Sequence, residues 1–158
     1  MGITDLLDPK AIVPQMDTDS SADVIQQLGN ILYELGCVKD NFVEATLARE
    51  VKDPTGLVLE GDINAAIPHV EPEYVRKSAM GFATLKKPVV FHQMDEPDQE
   101  IPVQLVIMLA VEKKEHVFML QQVSEIILQH PETIQRLMRA AKAEEILSIL
   151  KDVENSTS

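Results

Sequence analysis

The stretch from Val103 to Val111 is apolar at every position except Gln104. Such a run has no polar face to offer water, so it suits a central strand covered on both sides. It is far too short to cross a bilayer, which takes about 20 apolar residues. The rest of the chain must then supply two layers of cover. Asp17-Thr18-Asp19-Ser20-Ser21 offers several helix-capping side chains. Val24, Leu28, Ile31, Leu32 and Leu35 then recur at helical spacing up to Gly36, predicting a helix over about 21–35. A second helix is expected after Asp40 as its cap, from Asn41 to about Val51, stopped by Pro54 and Gly56.

Beyond Leu57 the periodicity shortens. Leu57-Val58-Leu59 and Ile63–Ile67 read as strands bounded by Gly61 and Pro68. Ser78–Leu85 and Pro88–Gln93 read as two more, around a Lys86-Lys87 turn, and Asp95–Glu100 as a solvated loop. Helical patterns close the chain, carrying Met119, Leu120, Val123, Ile126 and Ile127, then Ile134, Leu137 and Met138, then Ile146, Leu147 and Leu150. The first 16 residues, with Pro9 and Pro14, fit an extended lead-in or a short edge strand, and 155–158 a loose tail. Helices first, strands in the middle and helices last give an α/β sandwich, a sheet flanked by helices, as one domain over 1–158.

Charge and cysteine content remove several classes. With 14 Lys and Arg against 26 Asp and Glu, the formal net charge is -12, so clustered cations for nucleic-acid phosphates are lacking. The same charge fits encounter with a partner that presents a basic patch. A hydrophobic fraction of 45% sets whole-chain disorder aside. Cys37 is the single cysteine, so no internal disulfide forms, and a cytoplasmic location is the default expectation. The opening residues show no secretory pattern, and Leu6 stands where an acylation motif needs Ser or Thr.

The histidines are His69, His92, His116 and His130, and their spacing does not make a metal signature. No Gly-rich loop leads to Lys-Ser or Lys-Thr, which disfavours nucleotide binding. Cys37 ends an amphipathic helix, where a packed thiol is expected rather than a nucleophile. His69 follows a strand that Pro68 ends, so its ring stands at the sheet's rim. His116 opens the helix after the Val103–Val111 strand, on the side shared with Met119, Leu120 and Val123. If those strands are parallel neighbours, both imidazoles meet in one crevice, where open α/β folds place ligands. Placement alone also fits two ordinary boundary histidines. Arg49 has two readings as well: a cation favoured at a helix C-terminus, or a guanidinium able to hold phosphate through paired hydrogen bonds. Glu71 and Glu73 read as solvated, though either could orient a ring hydrogen on His69; a partner such as Glu71 or a backbone carbonyl must fix its tautomer. His92 and His130 read as structural or exposed.

Arg49-Glu50, Pro54-Thr55-Gly56, Ala65-Ala66-Ile67-Pro68-His69 and the helix-opening His116 together resemble the IIA component of the bacterial sugar phosphotransferase system, mannitol/fructose class. The resemblance runs from about residue 20 to residue 150, and the continuation His69–Val75 is similar to the galactitol-type branch. It implies a sandwich with a central mixed β-sheet, His69 as the phosphorylated histidine, Arg49 as the phosphate-stabilising arginine and His116 as the second active-site histidine. It further implies HPr as donor, a cysteine of the cognate IIB as acceptor, indirect service to a membrane IIC component, and neither metal nor nucleotide cofactor. The family often has Gly-Asn-Gly-Ile before Ala-Ile-Pro-His, where this chain has Asp62-Ile63-Asn64-Ala65; Asn64 is then expected to take the left-handed turn. Val70 stands where Gly or Ala is common. Two other classes compete: a regulatory IIA-like module that senses phosphorylation state, and a non-catalytic anion-binding protein.

Overall fold

The Ser20 side chain accepts a hydrogen bond from the Asp23 amide at 3.1 Å and starts α1 (Ser21–Glu34). Val24, Leu28 and Leu32 lie on its inner face with no exposure, each contributing roughly 2 kcal/mol of burial. Gly36 ends the turn with φ 78, a conformation that favours glycine. The Cys37 amide then bonds back to the Leu32 carbonyl at 3.0 Å. This computed structural model describes residues 2–157.

The remaining elements are β1 (Ile12–Met16), α2 (Phe42–Lys52), β2 (Gly56–Leu57), β3 (Ala65–Ala66), β4 (Ala79–His92), β5 (Glu100–Ala110), α3 (His116–Gln129), α4 (Pro131–Arg139) and α5 (Ala143–Thr157). One five-stranded sheet has the order β1-β4-β5-β3-β2. Pairing is parallel for β1 with β4 and β3 with β5, and antiparallel for β4 with β5 and β2 with β3, so the sheet is mixed. The apolar run supplies its middle strand. Leu105, Ile107 and Leu109 face a core built with α3, α4 and α5, while Val106, Met108 and Ala110 face one built with α1 and α2. Period-two alternation within this largely apolar run thus serves both layers.

Several local expectations change. Lys86-Lys87 is not a turn: β4 is one continuous strand, with its register against β5 slipping between Thr84 and Val89. Pro88 has no N–H to give, so the ladder is interrupted there while the partner strand runs straight past. The Leu57–Leu59 and Ile63–Ile67 strands shrink to two residues each, because Asn64 takes over the local bonding. Its Oδ1 accepts from the Leu59 amide at 3.2 Å, and its Nδ2 donates to the Pro102 carbonyl at 2.9 Å. Asn64 is not left-handed; Gly61, with φ 87, takes that geometry. Asp40 does not cap α2, which opens with the Phe42 amide bonded to the Lys39 carbonyl at 3.1 Å. The N-terminal residues do form an edge strand, β1. Residues 155–157 continue α5, which is held where Val153 enters the core and Thr4 donates a hydrogen bond to Glu154; residue 158 lies outside the described residues.

Gly56 explains one oddity of the chain, a glycine inside a strand. A β-carbon there would come within 2.5 Å of the His92 carbonyl oxygen and 3.0 Å of Ile101 Cδ1. Gly56→Ala is therefore expected to destabilise the fold by about 1–3 kcal/mol through overpacking, read as a lower urea midpoint. An unchanged midpoint would show that the two strands can separate at no cost.

Candidate functional site

Since β3 and β5 run parallel with Ala66 opposite Val106, the segments leaving their C-terminal ends emerge side by side. From β3 the chain passes Ile67 and Pro68 to His69. Pro68 cannot donate, but its carbonyl accepts from the Leu109 amide at 3.0 Å, which pins His69 beside Leu109. From β5 the chain turns through Lys113–Glu115 and opens α3 at His116. The two imidazoles lie with ring centroids 5.9 Å apart and planes tilted by 58°.

Arg49 arrives from the last turn of α2. Its Nη1 donates to Glu71 Oε1 at 2.6 Å, and its charge is close enough to lower the pKa of both rings. The two imidazoles thus meet, as expected of parallel neighbouring strands, and Arg49, whose placement the sequence left open, lies beside them. His92 and His130 stay outside: His92 Nδ1–H donates to the Pro97 carbonyl at 2.7 Å on the exposed end of β4, and His130 precedes α4. Cys37 is buried, and burial pushes its thiol pKa up, as expected of a packed side chain.

Of the partners expected for the His69 ring, a backbone carbonyl is the one in place, rather than Glu71 or Glu73. The His69 Nδ1 lies 2.7 Å from the Ile67 carbonyl oxygen. A carbonyl only accepts, so Nδ1 carries the hydrogen and Nε2 carries the lone pair. Burial, the chief cause, pushes the His69 pKa below the usual histidine value of 6.5; Arg49 and His116 add to it, while the bond to Ile67 and Glu71 oppose it. His116 is lowered in the same way, by burial and then by Arg49. Both rings are therefore neutral near pH 7. Glu71 is held below the usual carboxylate range by its own backbone N–H and by the guanidinium.

Among the described residues, Arg49 Nε, His116 Nε2 and Glu115 Oε2 are buried without a hydrogen-bond partner. A buried polar atom left unpaired costs about 1–3 kcal/mol, and two of these three belong to residues grouped around His69. A neutral nucleophilic nitrogen flanked by a cation and a second imidazole is suited to an anionic group in transit. Among the same residues no set of three His, Cys, Asp or Glu is placed to hold a metal, and no helix is long and apolar enough to cross a membrane.

Comparison with known proteins points the same way. The profile described as "Phosphoenolpyruvate-dependent sugar phosphotransferase system, EIIA 2" matches residues 5–153. The galactitol-specific EIIA component of Escherichia coli (strain K12) is 33% identical over 117 residues, 74% of this chain and 77% of that protein. The crystal structure of IIA mannitol from Escherichia coli superposes with a TM-score of 0.74 at 25% identity, covering 90% of this chain and 97% of that one. The fold also matches the complex of mannitol IIA with phosphorylated mannitol IIB from Escherichia coli, with a TM-score of 0.77 at 24% identity over 93% and 99% of the two chains. Family profile, relative and fold agree: the chain belongs to the EIIA 2 family of the phosphoenolpyruvate-dependent sugar phosphotransferase system, a family of phosphoryl-transfer proteins.

Proposed function

We propose that this chain, as one EIIA unit over 1–158, relays a phosphoryl group from phospho-HPr through His69 to a cysteine of its cognate IIB, during uptake of a galactitol-type sugar through a membrane IIC component. The observation that carries the reading is the Nδ1 bond of His69 to Ile67, which leaves Nε2 as the free nucleophile in a crevice shared with Arg49 and His116. Nε2 attacks phosphorus as the donor's N–P bond breaks, and Nδ1 keeps its proton. The Ile67 carbonyl then steadies the positive ring that forms. In the second step a cysteine thiolate attacks, the S–P bond forms, the N–P bond breaks, and His69 leaves as the neutral ring. The transition state is loose, with charge on the equatorial oxygens, so the protein's task is placement plus donors: Arg49 and His116.

Incubation with phosphoenolpyruvate, the general enzyme of the pathway and HPr is expected to add one phosphate at His69, located by peptide mass. Addition of a galactitol IIB should remove it. Retention on His69 would favour the regulatory module, and no incorporation would sink the relay. The galactitol reading rests on the similarity to the Escherichia coli relative.

The pH dependence has a definite sign. Protonating Nε2 removes the lone pair, and the His69 pKa lies below 6.5. The transfer rate should therefore hold as pH falls through 6.5 and drop only at more acid values. A pH–rate profile whose acid limb starts above 6.5 would contradict a buried, neutral His69.

A further inference from the structure

Glu50, beside Arg49 in the last turn of α2, does not face the phosphoryl site. Its two carboxylate oxygens instead grip one residue across the loop: Oε2 accepts from the Thr55 amide and Oε1 from the Thr55 hydroxyl, both at 2.8 Å. Thr55 is buried, and its own carbonyl accepts from the Ile67 amide at 3.3 Å. Ile67 then holds the His69 ring through its carbonyl at 2.7 Å. Gly56 and Ala66, the next pair along, lock the same two segments into the sheet. An unbroken series of hydrogen bonds thus runs from the turn that carries Arg49 to the ring of His69.

We propose that Glu50 and Thr55 form a clamp that sets Arg49 and His69 in register, making Glu50 a positioning residue for phosphoryl transfer. The proposal rests on the relay reading for its rate effect, though not for its effect on the His69 ring. Burial pushes the Glu50 pKa up to about 6, against the two Thr55 hydrogen bonds and the nearby Arg49 and His92 charges. The carboxylate is thus largely ionised near pH 7 although it is desolvated, an arrangement that packing alone would not call for.

Two substitutions separate geometry from charge. Glu50→Leu removes both acceptors, and the site borders a cleft of about 320 Å3 lined by Ile25, Leu47 and Phe91, which leaves room for the new side chain. Glu50→Gln keeps the grip, because its carbonyl accepts from the Thr55 amide and its NH2 donates to the hydroxyl oxygen. Nitrogen-15 NMR of the His69 ring is expected to show the pure Nδ1–H tautomer in the wild type and in Glu50→Gln, and a mixture in Glu50→Leu. With phospho-HPr as substrate, kcat should fall roughly tenfold to a hundredfold in Glu50→Leu with KM unchanged, and stay near wild type in Glu50→Gln. Thr55→Val, which loses only the hydroxyl contact, should fall between them and reports on the clamp even if Glu50→Leu fails to fold. Wild-type kcat and tautomer in both Glu50→Leu and Thr55→Val would overturn the proposal. Equal damage in Glu50→Gln and Glu50→Leu would overturn it too, by making charge the active property. If the wild type accepts no phosphate, the relay fails, while the NMR comparison still decides on the clamp.

Discussion

His69→Ala is expected to take up no phosphate at all from phospho-HPr, with its thermal unfolding close to that of the wild type. The ring sits at the rim of the sheet, outside both apolar cores, so its removal leaves the packing of β3 and β5 intact. Its single hydrogen bond goes to the Ile67 carbonyl, which can turn to water once the ring is gone. Chemistry has no such substitute. His116, the other ring in the crevice, opens α3 and has no carbonyl partner to hold its tautomer among the described residues. Mass analysis that found full incorporation in His69→Ala, on His116 or elsewhere, would reassign the acceptor.

The second large effect concerns Arg49. Arg49→Ala is expected to slow transfer roughly a hundredfold, by analogy with removal of one donor to a developing anion. Its ion pair with Glu71 lies at the surface and contributes no more than about 1 kcal/mol, so the fold should persist. Arg49→Lys should recover only part of the rate, because an ammonium lacks the planar fork that binds two phosphoryl oxygens at once. Equal rates for wild type and Arg49→Ala, measured by rapid quench with phospho-HPr, would remove the guanidinium from the site.

Much of this is legible in the chain itself. The capping run before Val24 and the spacing of Val24, Leu28 and Leu32 describe α1 because helix period and N-cap chemistry are local properties. The nearly unbroken apolar run from Val103 to Val111 predicts burial on both faces for the same reason. Pro68 marked where the ladder must change, and so put His69 at a strand end. Errors gathered where a side chain or a distant strand overrode local preference. Lys86-Lys87-Pro88 has the composition of a turn, yet the pairs Thr84–Leu105 and Val89–Val103 on either side of it hold one continuous strand. Asn64, expected to act through its backbone, instead acts through its side chain on Leu59 and Pro102.

At the site the division is sharper. The residue types and their positions on strand or helix ends could be read from the chain itself, and family resemblance supplied the roles proposed for His69, His116 and Arg49. Glu71 looked equally able to serve the ring; the fold turned it to Arg49 and gave the ring a backbone carbonyl. The Glu50–Thr55 grip left no pattern, although both residues stood inside the motif. Sequence by itself determined the helix α1 with its buried face and the double burial of the Val103–Val111 run, since those follow from periodicity over neighbouring residues. Only the tertiary structure decided that β3 lies parallel to β5 and that α2 ends against their rim. That choice depends on pairing between segments far apart in the chain, and no local spacing records it.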